Sequence, residues 1–385
     1  MTVERIGDRR IWTALLPCFL AGGLYGWSAM APALLSTFPV GVEQVGLVFS
    51  LAIIAFSLAV FWIPRAFAGM VGSNAIGVCG LFGGLAVSAS CFAPSYALFL
   101  VSFSVGFGAA SGAIYILALD AAGRTDRPLL MTPLTVASFG LGGALFGPAL
   151  RQLVDLGWGM SALWILAVPL VVVSAIIFAL PGGEVRPDSA RKIHEAAVQG
   201  PISSSTIILL WFAFGLGSAA GLMTLGLAAT IVESQGGAVW LSALTLSLIA
   251  VGNTVGRLAV GFLAKTYRLG SIGVGAGCLC GAGLVIALMA GTPGLIALGL
   301  ILVASGYGLV ASLYPTLTRH LSGPEGFSRT YSWVFTAWGT AGLIAPWAAG
   351  RLFDMSGSFS APIGFALAAS ILSAGLAWAL RSRSP

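Results

Sequence analysis

Runs of about twenty apolar residues, the length a helix needs to cross a hydrocarbon core, recur from one end of this chain to the other, separated mostly by short polar turns. Barrel strands would alternate apolar and polar at every residue; these runs do not. The pattern therefore predicts an all-α membrane protein with twelve transmembrane helices at roughly 11–36, 44–64, 74–93, 96–119, 130–149, 158–180, 205–231, 239–262, 271–290, 294–317, 330–349 and 359–380. One connection is long, 181–204 (PGGEVRPDSARKIHEAAVQGPISS), and its polar, Pro- and Gly-bearing composition reads as a linker. It divides the chain into an N-terminal six-helix bundle (1–180) and a C-terminal one (205–385).

The two halves resemble each other. SFGLGGALFGPALRQLVDLG from Ser138 matches AWGTAGLIAPWAAGRLFDMSG from Ala337, SLAIIAFSLAVF from Ser50 matches SLIAVGNTVGRL from Ser247, and Tyr115 matches Tyr314. An internal repeat of about 200 residues predicts two six-helix pseudo-repeats, and in transporters built this way the substrate site lies near the bilayer midplane.

Composition sharpens the reading. With 58% hydrophobic and 8% charged residues and a mean hydropathy of +1.00, the chain lies far from soluble proteins, which run near 25% charged. A pI of 9.3 invites a nucleic-acid partner, but topology explains the basic residues. With the N-terminus inside, 15 of the 18 Lys and Arg fall in cytoplasmic segments and only Arg151 and Arg351 fall outside. Both termini and the linker are then cytoplasmic, and the compact loops suit a bacterial inner membrane. The first apolar run lacks a small-residue cleavage site and reads as an uncleaved helix. Cys18, Cys79, Cys91, Cys278 and Cys280 all lie in or at the ends of spans, so neither a disulfide framework nor a metal site is expected. Nothing points to a catalytic residue or a cofactor.

The eighteenth basic residue is Arg257, deep in the eighth span. A charged side chain at a helix centre costs about 2.5–3.5 kcal/mol on insertion scales and by default marks a functional site. Asn253 lies one turn earlier on the same face. Aligned from Ser50 and Ser247, Arg257 falls opposite Val60 and Asn253 opposite Phe56. Fold maintenance should ask similar things of both halves, so this asymmetry favours binding. A guanidinium presents a planar fork that matches the two oxygens of a carboxylate. The alternatives are snorkelling toward the helix end or a structural pairing for Arg257 and polar helix packing for Asn253. Tyr25, Tyr115, Tyr307 and Tyr314 are candidate hydroxyl donors, against a role as interfacial tyrosines. Ser332, Thr336 and Thr340 recur every four residues on span eleven beside Trp338; they either face a cavity or bond their own backbone. No acid lies deep in a span, and His194 and His320 are in loops.

GGLYGWS (22–28), GLM (221–223), GNTVGRLAVGFLAK (252–265), SLYPTL (312–317) and WVFTAWGTAGLIAP (333–346) resemble the major facilitator superfamily, and within it the oxalate/formate antiporter and monocarboxylate transporter branch. The resemblance implies that Arg257 holds a substrate carboxylate, with Asn253 as its polar partner. Relatives handling dicarboxylates carry a second basic residue where Trp338 aligns, which implies monocarboxylates here. In the family's cytoplasmic signature an aspartate is expected where Lys265 stands, in GFLAKTYRLG (261–270). The expected function is alternating-access transport of a small organic monocarboxylate across the bilayer, with a coupled proton or a counter-anion as further partner. The alternative is a facilitator exporting hydrophobic drugs or metabolites, which a buried cation opposes. A receptor or intramembrane enzyme has no supporting motif.

Overall fold

The computed structural model describes residues 3–66, 73–180 and 202–381; the expected linker falls largely outside them. Every long element is a helix: α1 (Val3–Ala21), a 3-10 segment (Gly22–Met30), α2 (Ala31–Thr37), α3 (Val42–Ala66), α4 (Ser73–Cys91), α5 (Tyr96–Phe99) running through a π segment (Leu100–Phe107) into α6 (Gly108–Gly123), α7 (Pro128–Asp155), α8 (Trp164–Ala179), α9 (Ser204–Ser234), α10 (Val239–Leu263), α11 (Leu269–Met289), α12 (Pro293–Ser356) and α13 (Ser360–Arg381). Among the described residues there are no strands.

Among the described residues, ten helices are long and apolar enough to cross a membrane, or eleven with the bent pair Ile11–Trp27 and Ala31–Thr37 counted as one. One of them, α12, has 64 residues, about 96 Å at helical rise against a hydrocarbon core of about 30 Å. It breaks at Gly323, with φ 70° and ψ 169°, a backbone region that glycine alone enters without strain. Pro324 then starts the second arm, where a missing N–H costs nothing. The arms 293–322 and 324–356 each supply one span, which brings the count to twelve.

One span and one turn differ from the sequence expectation. The first is not one straight helix: α1 gives way to the 3-10 segment and the pair bends by 62°. Gly22, Gly23 and Gly26 weaken helix propensity there. The segment 318–329, expected as a turn, is helical up to the Gly323 break and again after it.

The residues separate into two compact units, Met1–Met131 with Thr135–Val198, and Thr132–Leu134 with Gln199–Pro385. In the first, α6 lies against α3 so closely that a Cβ on Gly112 would strike the Phe56 carbonyl. In the second, the first arm of α12 lies against α10, and a Cβ on Gly308 would strike the Asn253 carbonyl. The same helix contact thus occurs in both, with Phe56 standing where Asn253 stands. Gly252 and Gly256, a small-xxx-small pair, bring α10 to Ser305 on the same neighbour.

Candidate functional site

The second unit holds the polar cluster. Arg257 is 4% exposed and Asn253 6% exposed. The Arg257 Nε donates to Asn253 Oδ1 at 2.6 Å, a charge-assisted bond between residues one turn apart on α10. The backbone carbonyl of Asn253 sits at the glycine contact with α12, so the pair is anchored where two helices touch. Snorkelling would draw the guanidinium toward the helix end; the Asn253 bond instead points it back toward the preceding turn.

Tyr307, on the first arm of α12, is 1% exposed and within electrostatic reach of Arg257. Its hydroxyl accepts from Trp338 Nε1 at 2.7 Å. Trp338, from the second arm, is 4% exposed and stacks on Phe335 at 5.1 Å. An indole N–H only donates, so the Tyr307 oxygen must be the acceptor and its own hydrogen is directed elsewhere. Gly221 makes room for this ring: a Cβ there would overlap Tyr307. That is the physical content of the GLM motif.

The polar hydrogens these four residues carry belong to a guanidinium, an amide, a phenol and an indole. Beyond the one accepting oxygen on Asn253 and the one on Tyr307, both engaged, the cluster is built of donors. Such a set favours an anion and disfavours a cation.

The remaining sequence candidates have other partners. Tyr314 is buried, stacks on Phe214 at 4.9 Å and is hydrogen-bonded to Ser373. Thr336 accepts from Trp211 Nε1 at 2.8 Å while its hydroxyl donates to the Trp333 carbonyl at 2.7 Å. Ser332 and Thr340 likewise bond the Arg329 and Thr336 carbonyls, which is the backbone-bonding alternative for this polar row. In the first unit, Tyr115 and Tyr25 pack around Phe139, at 5.4 and 5.1 Å between ring centres. Tyr115 also meets Phe56 at 5.6 Å. There Phe56 (2% exposed) and Val60 (0% exposed) occupy the places of Asn253 and Arg257, so the equivalent position is wholly apolar.

One residue escaped sequence reasoning. Arg319, counted among the topology-setting cations, is 6% exposed, its guanidinium 3.9 Å from the Phe327 ring centre across the Gly323 break. Phe327 stacks on Tyr331 at 5.2 Å, Tyr331 meets Phe335 at 5.6 Å, and Phe335 stacks on Trp338. The helical spacing of these aromatics, at 327, 331, 335 and 338, is visible in the sequence; the break that turns Arg319 back onto them is not.

Long apolar helices surrounding a buried cationic cluster define the class, a polytopic membrane transport protein. The chain belongs to the Major Facilitator Superfamily, whose family model matches residues 18–346. Among solved structures it is similar to the human organic anion transporter MFSD10 (TETRAN), with TM-score 0.75 and 15% identity over 96% of this chain and 99% of that one. It is also similar to the proton:xylose symporter XylE (TM-score 0.74, 11% identity, 97% and 96% covered). The E. coli fucose:proton symporter FucP aligns with TM-score 0.69 and 18% identity over 95% and 98%. At these identities the likeness establishes the fold. No curated protein sequence matches the chain. Members of this family are transporters, and this chain is a secondary transporter.

Proposed function

We propose that the protein carries small organic monocarboxylates by alternating access, within the oxalate/formate antiporter and monocarboxylate transporter branch, with the carboxylate held by Arg257. The observation that carries this is the buried Arg257–Asn253 bond beside Tyr307 and Trp338, a cluster rich in donors and suited to two carboxylate oxygens. Asn253 steers the guanidinium, Tyr307 donates to the anion, and the bulk of Trp338 stands where a second cation would be needed for a dicarboxylate. Tyr25, Tyr115, Tyr314 and Thr336 shape the surroundings of the path. Sugar symporters share the fold as fully as the organic anion transporter does, so the anion reading stands on the cluster itself. The same proposal takes residues 1–180 and 205–385 as the two bundles, the N- and C-termini as cytoplasmic, and a bacterial inner membrane as the location.

The test is uptake into proteoliposomes. Labelled lactate-sized acids should enter saturably, whereas lipophilic cations should not be expelled. Arg257→Lys at normal membrane level should lose at least about tenfold in transport efficiency, since a point charge cannot reproduce a bidentate fork. Wild-type kinetics in that variant would remove Arg257 from the site.

A further inference from the structure

The turn 261–270 (GFLAKTYRLG) plays no part in the cluster described above, yet it carries Lys265 where the family signature leads one to expect an acid. Lys265, Tyr267 and Arg268 are all exposed. The Lys265 ammonium lies 5.6 Å from the ring centre of Phe262, which is itself 62% exposed. The last helix ends beside them. A Cβ on Gly270 would approach to 2.7 Å from the Arg381 backbone nitrogen, so the start of α11 and the end of α13 touch. There the Arg381 guanidinium lies 4.9 Å from the ring of Trp378, another exposed aromatic.

Three cations and three outward-facing rings are therefore gathered at one end of the second unit. No Asp or Glu occurs between Glu233 and Glu325, nor after Asp354, so the segments forming the cluster carry one sign of charge. The first unit has only part of this. In the alignment from Ser50 and Ser247, Arg65 falls opposite Phe262, whereas Lys265 and Arg268 fall opposite Ala68 and Val71. A purely topological bias toward basic residues would not need the cations paired with exposed rings on two touching helices.

We infer that this cluster binds the headgroup of an anionic phospholipid, the phosphodiester meeting Lys265, Arg268 and Arg381 while Phe262, Tyr267 and Trp378 lie at the level where acyl chains begin. Aromatic rings favour that interfacial depth, and each basic residue near an anionic surface contributes about fivefold in affinity. The inference is independent of which substrate is carried.

Native mass spectrometry of the detergent-solubilised protein, titrated with phosphatidylglycerol against phosphatidylcholine, tests it. The wild type should retain phosphatidylglycerol preferentially. The triple variant K265Q/R268Q/R381Q should lose that preference by roughly a hundredfold, while R151Q/R351Q, which also removes cations, should keep it. If the triple variant does not fold, Lys265→Asp alone at its exposed position should cut the preference roughly twentyfold. Inorganic phosphate should not displace the lipid. Retained preference in the cluster variants, or displacement by phosphate alone, overturns the inference.

Discussion

In the Arg257 cluster, Asn253 and Tyr307 each have an oxygen engaged by a neighbour, and that bond sets which of their hydrogens remain for another partner. Asn253 accepts from the guanidinium through Oδ1, which leaves its amide hydrogens for another partner. Tyr307 accepts from Trp338 and so presents its hydroxyl hydrogen. Tyr307→Phe removes both that hydrogen and the oxygen that accepts from the buried indole. Losing a buried hydrogen bond costs about 0.5–1.5 kcal/mol, so we expect a lower thermal midpoint together with a raised KM. If binding alone weakens and the midpoint holds, the Trp338 bond contributes nothing. Trp338→Lys tests specificity: a new cation there should raise the uptake ratio of dicarboxylate to monocarboxylate about tenfold, the value of one charge-assisted contact. Unchanged selectivity would sever Trp338 from substrate choice. Arg151 forms an exposed i, i+4 pair with Asp155 at 3.0 Å, worth under about 1 kcal/mol. Arg151→Gln should therefore leave uptake near wild type.

At the scale of elements, backbone proximity sets the cluster. The contact of α10 with α12 depends on Gly308 having no side chain, because the Asn253 carbonyl fills that space. Gly308→Ala should force the helices apart and cost about 1–3 kcal/mol through overpacking. The control is Gly275→Ala on α11, where nothing lies within 4 Å and helix propensity favours Ala by up to about 1 kcal/mol. Thermal unfolding in detergent should separate the two variants in sign; equal midpoints would mean that the close approach is not rigid. These elements also show what was legible beforehand. Arg257 and Asn253 could be paired from spacing alone, since four residues is one helical turn. The Tyr307–Trp338 bond joins residues 31 apart and depends on where two arms of α12 settle, which no periodicity encodes. The stripe of Ser332, Thr336 and Thr340 left a cavity face and backbone bonding equally open, because its spacing is the same whether the hydroxyls bond outward or to their own carbonyls. The 3-10 segment was hidden because Gly-rich apolar sequence also suits a close-packed membrane helix.

At the scale of the molecule, two repeats make the same α3–α6 and α10–α12 contacts, yet only one carries charge at the matching place. Val60 and Phe56 are buried apolar counterparts, so the fold does not need a cation there. What the molecule lacks among its described spans is a deep acid: Asp120 is buried, but at the end of α6, and pairs with Arg124 at 2.8 Å. A proton relay normally uses an intramembrane carboxylate or histidine, so translocation in this protein should centre on the anion itself. In substrate-loaded proteoliposomes, homo-exchange of a monocarboxylate should then vary less than about twofold between pH 6 and 8. Over that range a guanidinium keeps its charge and an ordinary carboxylic acid, with pKa near 4, is already ionised. Asp120→Asn should preserve this exchange, because Asp120 stands at the end of α6 and pairs with Arg124 one turn away. A steep fall in exchange with rising pH, abolished by the Asp120 change, would instead assign Asp120 to a proton path and make Arg257 only one half of a coupled device.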